Sequence, residues 1–271
     1  MLINGKPDDR IACSDRGLQY GDGLFETLAV NQGRPCLWRR HMARLGRGES
    51  VLGMPASDKQ LLEQEALSLC EGRDQAVLKI ILTRGSGGRG YARPSPCAPR
   101  RILSIHPWPD YPRTWYTEGL RLGICQTRIG RNSQLAGLKH LNRLEQVLAR
   151  SECQEARLDE CLMMDEGKRV ICGSQSNFFM VRDDTLYTPD LTHSGITGVV
   201  RELVIELARQ LSIPLLITDL DLQSLLDADA LFVTNSVMGI CPVAVLDKRR
   251  YDLERIPIEL RRRAEQACMA S

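Results

Sequence analysis

The 271-residue sequence predicts an α+β fold in two domains. Strand-like and helix-like segments follow one another irregularly in both halves, without the regular strand–helix–strand order of a parallel sheet. A cluster of prolines and aromatic residues, His106–Pro112, interrupts the pattern. We therefore predict a small N-terminal α/β domain over residues 1–107, an interdomain linker over 108–118 and a larger C-terminal domain over 119–271, which carries the candidate catalytic lysine.

Apolar periodicity defines the elements of the N-terminal half. Alternation of apolar and polar residues predicts strands, and apolar residues three or four positions apart predict helices. Gly53 and Pro55 would end the first helix, and Asp58 would cap the second. The predicted elements are a hairpin at residues 2–5, strands at 23–30, 77–83 and 102–105, a helix from residue 38 to 52, and a helix that follows Asp58.

The C-terminal half contains more strands than helices by the same criteria. Short apolar runs bounded by turn residues indicate the strands, and longer periodic stretches indicate the helices. The predicted strands are 120–125, 160–164, 178–181, 185–187, 230–234 and 242–246, and the predicted helices are 142–153, 198–211 and 256–269.

Composition argues against several classes of protein. The net charge is +2 and the basic residues are scattered, so no nucleic-acid surface is expected. No apolar run approaches the roughly 18 residues of a membrane helix, and Met1–Pro7 lacks the apolar core of a signal peptide. The ten cysteines form no Cys-x-x-Cys pair, which favours free thiols in the cytoplasm. The four histidines are far apart, so no metal is expected.

One lysine is distinctive. The chain has six lysines and thirty arginines, and Lys139 follows Gly137 in an apolar stretch just before a predicted helix. An arginine guanidinium stays protonated, whereas a desolvated lysine can lose its proton and attack a carbonyl carbon. A surface lysine in a loop is the alternative interpretation of this residue taken alone. Its flanking residues favour the chemical role.

A glycine-rich loop, Gly85–Gly90, matches the G-x-G-x-x-G pattern and follows a predicted strand. A dinucleotide site also requires a helix to begin at the last glycine, and the two prolines of Tyr91–Pro96 forbid one. Two interpretations remain open. The loop either brings Arg84, Arg89 or Tyr91 to an anionic ligand, or it only connects two strands.

Two segments are suitable for binding phosphate. Ser194–Arg201 leads into a predicted helix, whose first backbone N–H groups and dipole attract anions, and Thr197 could add its hydroxyl. An ordinary threonine N-cap is the alternative. Asn235–Gly239 follows a predicted strand and could supply a second hydroxyl and further amides; a simple turn is the alternative.

Five segments occur in a characteristic order along nearly the whole chain: Ser14–Thr27, His41–Leu45, Lys139, Ser176–Phe179 and Gly195–Thr197. Together they resemble the fold-type-IV pyridoxal-phosphate enzymes, which include branched-chain and D-amino-acid aminotransferases and a lyase. Several matching segments in order are more specific than any one alone. The resemblance implies the two-domain fold of the D-amino-acid aminotransferases.

The resemblance also implies residue roles. Lys139 would carry pyridoxal 5'-phosphate as a Schiff base and later move a proton, and Arg44 would hold the phosphate. Taken alone, Arg44 is one of many arginines on its helix, and composition favours a position on a solvated face. The site would lie between the two domains, and the protein would be a homodimer. The phosphate cup would be completed by Ile196, Thr197, Ser236 and Val237.

One position departs from the family pattern. The family usually has a glutamate five residues before the asparagine of its Ser-Asn-x-Phe segment, where it keeps the pyridine nitrogen protonated. Here that residue is Cys172, five residues before Asn177. A thiol is a weak hydrogen-bond partner, so the cofactor should be a poorer electron sink. Glu166 is an alternative partner in space, and a small buried apolar side chain is the alternative role for Cys172.

Two stretches, Arg84–Tyr91 and Gly137–Leu148, are most similar to the branch of the family that cleaves 4-amino-4-deoxychorismate. We therefore expect a lyase that forms 4-aminobenzoate and pyruvate in folate biosynthesis. Aromatisation of the substrate ring would supply part of the driving force. A lyase would therefore tolerate the weaker electron sink that Cys172 implies. The two substrate carboxylates need cationic or amide partners. The candidates for substrate binding are Arg89, Tyr91, Arg128 and Arg143.

Three other functions remain open at this level. An aminotransferase acting on D- or branched-chain amino acids would convert its cofactor to the amine form with an amino acid alone. A catalytically impaired cofactor-binding protein would be coloured but would show no turnover. A structural protein without a cofactor would give a colourless preparation.

Overall fold

A computed structural model describes residues 1–270, which form two compact units. Lys139 belongs to the first unit, although the sequence predicted it in a C-terminal domain that begins at residue 119. The reason is that the segment around Lys139 pairs with the edge of a strand from the first unit. The first unit consists of residues 1–109, 138–142 and 269–270, and the second consists of residues 110–137 and 143–268.

The first unit is built on a six-stranded antiparallel sheet with the strand order β2-β1-β6-β5-β3-β4. Two long helices, α2 and α3, contribute to its core. Its elements are β1 (Leu2–Ile3), β2 (Lys6–Pro7), α1 (Arg16–Tyr20), β3 (Gly23–Asn31), β4 (Arg34–Pro35), α2 (Trp38–Leu52), α3 (Lys59–Cys70), β5 (Gln75–Thr83) and β6 (Arg100–Pro107).

The helix ends of this unit confirm the local signals of the sequence. Gly53 follows α2 in the left-handed conformation, with φ of 58°, and its N–H bonds back to the helix. Glycine adopts this conformation without the steric cost that a side chain brings. Asp58 caps α3, and its carboxylate accepts from two first-turn backbone N–H groups.

The second unit contains a nine-stranded mixed sheet. Eight strands follow the order β12-β11-β10-β13-β14-β7-β8-β9, and β15 pairs with β14. Its elements are α4 (Thr114–Thr117), β7 (Leu120–Ile129), α5 (Leu144–Glu155), β8 (Glu160–Asp165), β9 (Val170–Gly173), β10 (Asn177–Arg182), β11 (Thr185–Pro189), α6 (Val199–Gln210), β12 (Leu215–Thr218), α7 (Leu222–Leu226), β13 (Ala230–Asn235), β14 (Gly239–Leu246), β15 (Arg249–Arg250), a 3₁₀ turn (Leu253–Arg255) and α8 (Ile258–Met269).

The segment predicted as a linker, 108–118, is more than a connection. It contains α4, and Trp115 and Tyr116 pack against the main core of the second unit. The Trp115 indole N–H donates to Asp159 at 3.0 Å, and the Tyr116 hydroxyl donates to the Met238 carbonyl at 3.1 Å. Half-buried aromatic side chains with satisfied polar atoms anchor this segment.

The fold class predicted from the sequence is confirmed: each unit combines helices with a sheet that is not wholly parallel. No helix lies between β5 and β6, which agrees with rejection of a dinucleotide site at the glycine loop. The elements that the sequence did not predict are short, namely α1, β4, α4, β9, β12, α7, β15 and the 3₁₀ turn. Segments of two to five residues are too brief for apolar periodicity to distinguish them from turns.

Membrane-spanning helices and metal-binding clusters are both absent from residues 1–270. No helix in this range has the length and apolarity needed to cross a membrane. Within the same range, no three histidine, cysteine, aspartate or glutamate side chains form a group suited to a metal ion.

Candidate active site

Lys139 is positioned by the edge of β3. The Phe25 backbone N–H donates to the Lys139 carbonyl at 2.9 Å, and the Leu141 N–H donates to the Gly23 carbonyl at 3.0 Å. The segment thus adds to the sheet like a short extra strand. The half-buried Lys139 amine lies 4.4 Å from the centroid of the Phe25 ring. Backbone pairing therefore fixes the position of this amine. A lysine on an unpaired loop would have no such constraint.

A buried ionic group occupies the opposite face of the sheet. Glu26 follows Phe25 on β3, so its side chain points to the other face, towards α2. Arg44 donates from Nε to one Glu26 oxygen at 2.8 Å and from a terminal nitrogen to the other oxygen. His41 places Nδ1 2.6 Å from the same carboxylate. His41 and Arg44 reach one carboxylate because residues three apart share a helix face.

The protonation states of this group follow from its burial and pairing. Burial acts to raise the Glu26 pKa, but Arg44 and His41 outweigh burial and lower it to about 2. Burial also lowers the pKa of His41, so the imidazole is neutral at neutral pH. Since the Glu26 carboxylate only accepts, Nδ1 must carry the imidazole proton. Nε2 is then a buried acceptor that has no hydrogen-bond partner among the described residues.

The glycine loop is held in place by Arg16. Its guanidinium donates to the carbonyls of Gly90, Tyr91 and Ala92 at 3.0–3.2 Å. Arg16 is itself paired with Asp22. Several charge-assisted bonds to one backbone segment define its path. The loop is therefore an anchored structure in this unit.

The three candidate residues of this loop have different surroundings. Arg84 is buried, pairs with Asp22 and donates to the carbonyls of Leu52 and Gly53. Its guanidinium N–H groups are thus used in hydrogen bonds within the first unit. Arg89 is exposed. The Tyr91 side chain is 85% exposed and contacts the Tyr20 ring edge-on. Arg89 and Tyr91 remain candidates for substrate binding, and Arg84 has a structural role.

In the second unit, the predicted phosphate residues lie on two segments that Asn177 connects. Its side-chain amide donates to the Ile196 carbonyl at 2.9 Å, which fixes the loop that contains Thr197. Its backbone pairs with Thr234 at the end of β13. The turn that contains Ser236 follows directly.

Both segments have the polar groups that a phosphate needs. Helix α6 begins after Gly198 without a side-chain cap, which leaves its first-turn N–H groups to be satisfied by another acceptor. The Thr234 hydroxyl is buried without a hydrogen-bond partner in the described part of the chain. In the adjacent turn, the Val237 and Met238 N–H groups donate to the Asn235 side chain. The groups that fit a phosphorylated cofactor are the start of α6 and the Thr234 hydroxyl, because Asn235 already engages the Val237 and Met238 N–H groups.

Gly198 is a sensitive position in this arrangement. A Cβ atom there would lie 2.0 Å from the Asn177 side-chain oxygen, so Gly198→Ala should displace the loop before α6. We expect about tenfold weaker binding of pyridoxal 5'-phosphate, which corresponds to about 1.4 kcal/mol. Gly88→Ala is the matched control, because a Cβ at Gly88 meets nothing within 4 Å. Equal cofactor affinities of the two variants, measured by titration, would contradict this expectation.

Cys172 is a buried residue of β9, opposite Met163 of β8. Burial and the nearby Glu160 carboxylate raise the pKa of its thiol to about 12, so the thiol is neutral at neutral pH. Glu160 itself accepts hydroxyl bonds from Ser174 and Ser176. Glu166, the alternative partner predicted from the sequence, lies in an exposed turn. Glu160 is buried but already hydrogen-bonded, and Glu166 is exposed. Neither is therefore a buried carboxylate with free acceptor groups like the usual glutamate.

The two other candidate arginines are in the second unit. Arg128 is half-buried and donates to the Cys125 carbonyl at 3.0 Å. Arg143 precedes α5, and burial lowers its pKa although Glu145 and Cys172 act in the opposite direction. Arg128 and Arg143 remain candidates for substrate binding.

Three residues with a role in the site were not singled out from the sequence: Glu26, His41 and Asn177. Signals for two of them were present. Glu26 is a carboxylate in a strand with apolar neighbours, and His41 lies three residues before Arg44, at helical spacing. A charged residue at a buried strand position needs a partner, and a histidine and an arginine on one helix face could provide it.

The chain belongs to the aminotransferase class IV family, which its sequence matches over residues 23–246. It is 34% identical to the aminodeoxychorismate lyase of Vibrio harveyi over 242 residues, which cover 89% of each protein. The crystal structure of 4-amino-4-deoxychorismate lyase from Pseudomonas aeruginosa superimposes with a TM-score of 0.91 and 46% identity, covering 98% of this chain and 96% of that one. The D-alanine aminotransferase of Bacillus licheniformis is 26% identical over 255 residues, which cover 91% of this chain and 88% of the relative.

Proposed function

We propose that the protein is a pyridoxal-phosphate-dependent lyase that converts 4-amino-4-deoxychorismate into 4-aminobenzoate and pyruvate, a step of folate biosynthesis. The observation that carries this proposal is the position of Lys139. Its amine is held over Phe25 by backbone pairing, within the stretch most similar to the lyase branch. The likeness to two lyases over nearly the whole chain supports the same reaction.

The bound cofactor supplies an electron sink for the substrate amine, and the protein supplies orientation and proton transfer. Lys139 Nζ removes the proton from the ring carbon that bears the amine. The bond between the neighbouring ring carbon and the enolpyruvyl oxygen then breaks, and the ring becomes aromatic. The enolpyruvyl fragment takes up one proton and becomes pyruvate, so no proton is gained or lost overall.

Other residues would hold the cofactor. Arg44, oriented by its two bonds to Glu26, would bind the phosphate. Cys172, as a neutral thiol, would lie at the pyridine nitrogen without keeping it protonated. The remaining phosphate donors would come from Ile196, Thr197, Ser236 and Val237. Substrate carboxylates would contact Arg89, Tyr91, Arg128 or Arg143.

The direct test is release of 4-aminobenzoate from freshly generated 4-amino-4-deoxychorismate by the cofactor-loaded protein. We expect product from the wild type, together with an equal amount of pyruvate. A coloured, cofactor-loaded protein that releases neither product would contradict the lyase function.

An aminotransferase is the second candidate, and the D-alanine aminotransferase relative favours it. A transaminase has a separate half-reaction, in which an amino acid alone converts the cofactor to its amine form. Mixing the loaded protein with D-alanine, or with a branched-chain amino acid, and recording the visible spectrum distinguishes the two functions. Loss of the visible band without a keto acid acceptor would support the aminotransferase.

Cys172→Glu tests the role of the substituted position. A glutamate would place another carboxylate near Glu160, so the cofactor-free protein should be destabilised by about 1–3 kcal/mol. With cofactor bound, the new carboxylate gains the pyridine nitrogen as a partner, and the cofactor should bind about tenfold more tightly. Denaturation of both forms and cofactor titration measure these effects. Unchanged affinity and turnover would show that position 172 does not weaken the site.

The protein is further proposed to be a cytoplasmic homodimer. Leu144, Val147 and Leu148 form an exposed apolar stripe on α5, spaced as expected for one helix face. Such a stripe is typical of a protein–protein contact, and sedimentation would measure the mass in solution. In the described part of the chain no two cysteines form a disulfide, which supports a reducing compartment, and cell fractionation tests this location.

A further inference from the structure

Lys79 is an unusual residue in the sheet of the first unit. It lies in β5, an inner strand between β6 and β3, among apolar neighbours. The strand register places it opposite Thr27 of β3 and Ser104 of β6. Its side chain is half-buried, and no carboxylate among the described residues forms an ion pair with it. A cation at this position needs an explanation, because desolvating an ammonium group is costly without a partner.

Lys79 shares one aromatic ring with Lys139. The Lys79 amine lies 5.8 Å from the Phe25 ring centroid, and the Lys139 amine lies 4.4 Å from it. Because both distances end at one point, the two amines are at most about 10 Å apart. Side chains that alternate along a strand share a face, so all three groups lie on the face opposite Glu26. That face therefore carries two amines that lie close to the same aromatic ring.

Beside Lys79, the opposite face of the same sheet is filled by the core of the unit. Its side chains from β3 and β5, such as Leu24, Leu28, Leu78 and Ile80, are completely buried in the core of the unit. Phe25 and Ile81, by contrast, are only half-buried on the face that carries Lys79. A ligand can reach Lys79 from this face alone.

We infer that Lys79 binds the ring carboxylate of the substrate and thereby determines specificity; this inference rests on the proposed lyase function. The substrate amine must be delivered at the Lys139 end, where it takes the place of the lysine. The ring carboxylate is para to that amine, so it lies one ring length away, and the second amine is within about 10 Å of the first. With the substrate ring placed along Phe25, the Lys79 ammonium gains the anionic partner that the described residues do not supply.

The enolpyruvyl carboxylate is a poorer match for Lys79. It is attached next to the amine-bearing carbon and therefore stays closer to the Lys139 end of the substrate. It also leaves with pyruvate, whereas the ring carboxylate is retained in 4-aminobenzoate. The two products thus carry the two carboxylates separately, which makes the assignment testable.

The experiment compares Lys79→Met and Lys79→Arg in the cofactor-loaded full chain, with Lys6→Met as the control on an exposed edge strand. Loss of one charge-assisted bond should raise the KM of Lys79→Met about 10- to 100-fold and leave kcat within a few-fold. Inhibition by 4-aminobenzoate should weaken by a similar factor, and inhibition by pyruvate should not change. Lys79→Arg should recover most of the loss, because it keeps the charge.

Several outcomes would overturn this inference. One is unchanged inhibition of Lys79→Met by 4-aminobenzoate; another is weaker inhibition by pyruvate alone. A lowered kcat with an altered visible spectrum of the bound cofactor would instead assign Lys79 to the environment of Lys139. Failure of the lyase function itself is distinguishable, because the wild type would then release no 4-aminobenzoate.

Discussion

Lys139→Ala is expected to lower 4-aminobenzoate release by about a thousandfold or more, because the proposed function assigns to this one amine both attachment of the cofactor and transfer of the proton. Alanine keeps the backbone bonds to Phe25 and Gly23, which involve only main-chain atoms. The variant should therefore fold normally and retain the edge of β3. Its activity and its fold can be assessed separately.

The measurement for this variant has two parts. Product release reports turnover, and the visible absorbance of the loaded protein reports covalent attachment of the cofactor. Lys6→Ala, on an exposed edge strand, is the matched control and should behave like the wild type. A Lys139→Ala protein that keeps both turnover and the wild-type visible band would refute the assignment of Lys139.

Glu26→Gln is expected to destabilise the protein by about 3–5 kcal/mol, because it leaves the buried Arg44 cation without its counterion. An amide keeps the volume of the carboxylate but can offer Arg44 only one oxygen. It also changes the bond that His41 makes through Nδ1. Urea denaturation at pH 7 measures the loss of stability.

The control for this variant is Glu259→Gln. Glu259 pairs with Arg262 and Arg263 on the exposed surface of α8, where water screens the charges. Its unfolding midpoint should stay close to that of the wild type. A Glu26→Gln midpoint equally close to the wild type would show that the buried pair contributes little net stability.

The stability of the wild type should also depend on pH through the same carboxylate. The Glu26 pKa is about 2 in the folded chain and 4.5 as a reference for the unfolded chain. The folded state is therefore favoured above pH 4.5, and this contribution, about 3 kcal/mol, is lost as the pH falls from 4.5 towards 2. Glu26→Gln should lack this part of the acid dependence, as unfolding at pH 5 and pH 3 would show.

His41 adds to acid destabilisation at higher pH. Its pKa lies below 6.5 in the folded chain, so the unfolded state binds the proton more readily. The neutral imidazole makes its full contribution to the free energy of unfolding above pH 6.5, and this contribution declines as the pH falls below that value. The two groups thus act in successive windows and in the same direction.

Local signals in the sequence were sufficient for the fold class, the helix ends and the distinctive lysine. Gly53 and Asp58 act through backbone groups only a few residues away, so their effect can be predicted from neighbouring positions. The prolines after the glycine loop excluded a helix for the same reason. The five matching segments indicated the family before any contact was known.

Only the tertiary structure decided which polar groups meet. Glu26 reaches Arg44 and His41 because β3 packs against α2, and strand register brings Lys79 to the ring that also contacts Lys139. The contacting residues are separated by 15 to 114 residues along the chain, from Glu26 and His41 to Phe25 and Lys139. Register and packing depend on the whole core, and a one-residue shift would turn Lys79 and Glu26 to the opposite faces. The sequence by itself determined which chemical groups are available, and packing of the sheet determined their partners.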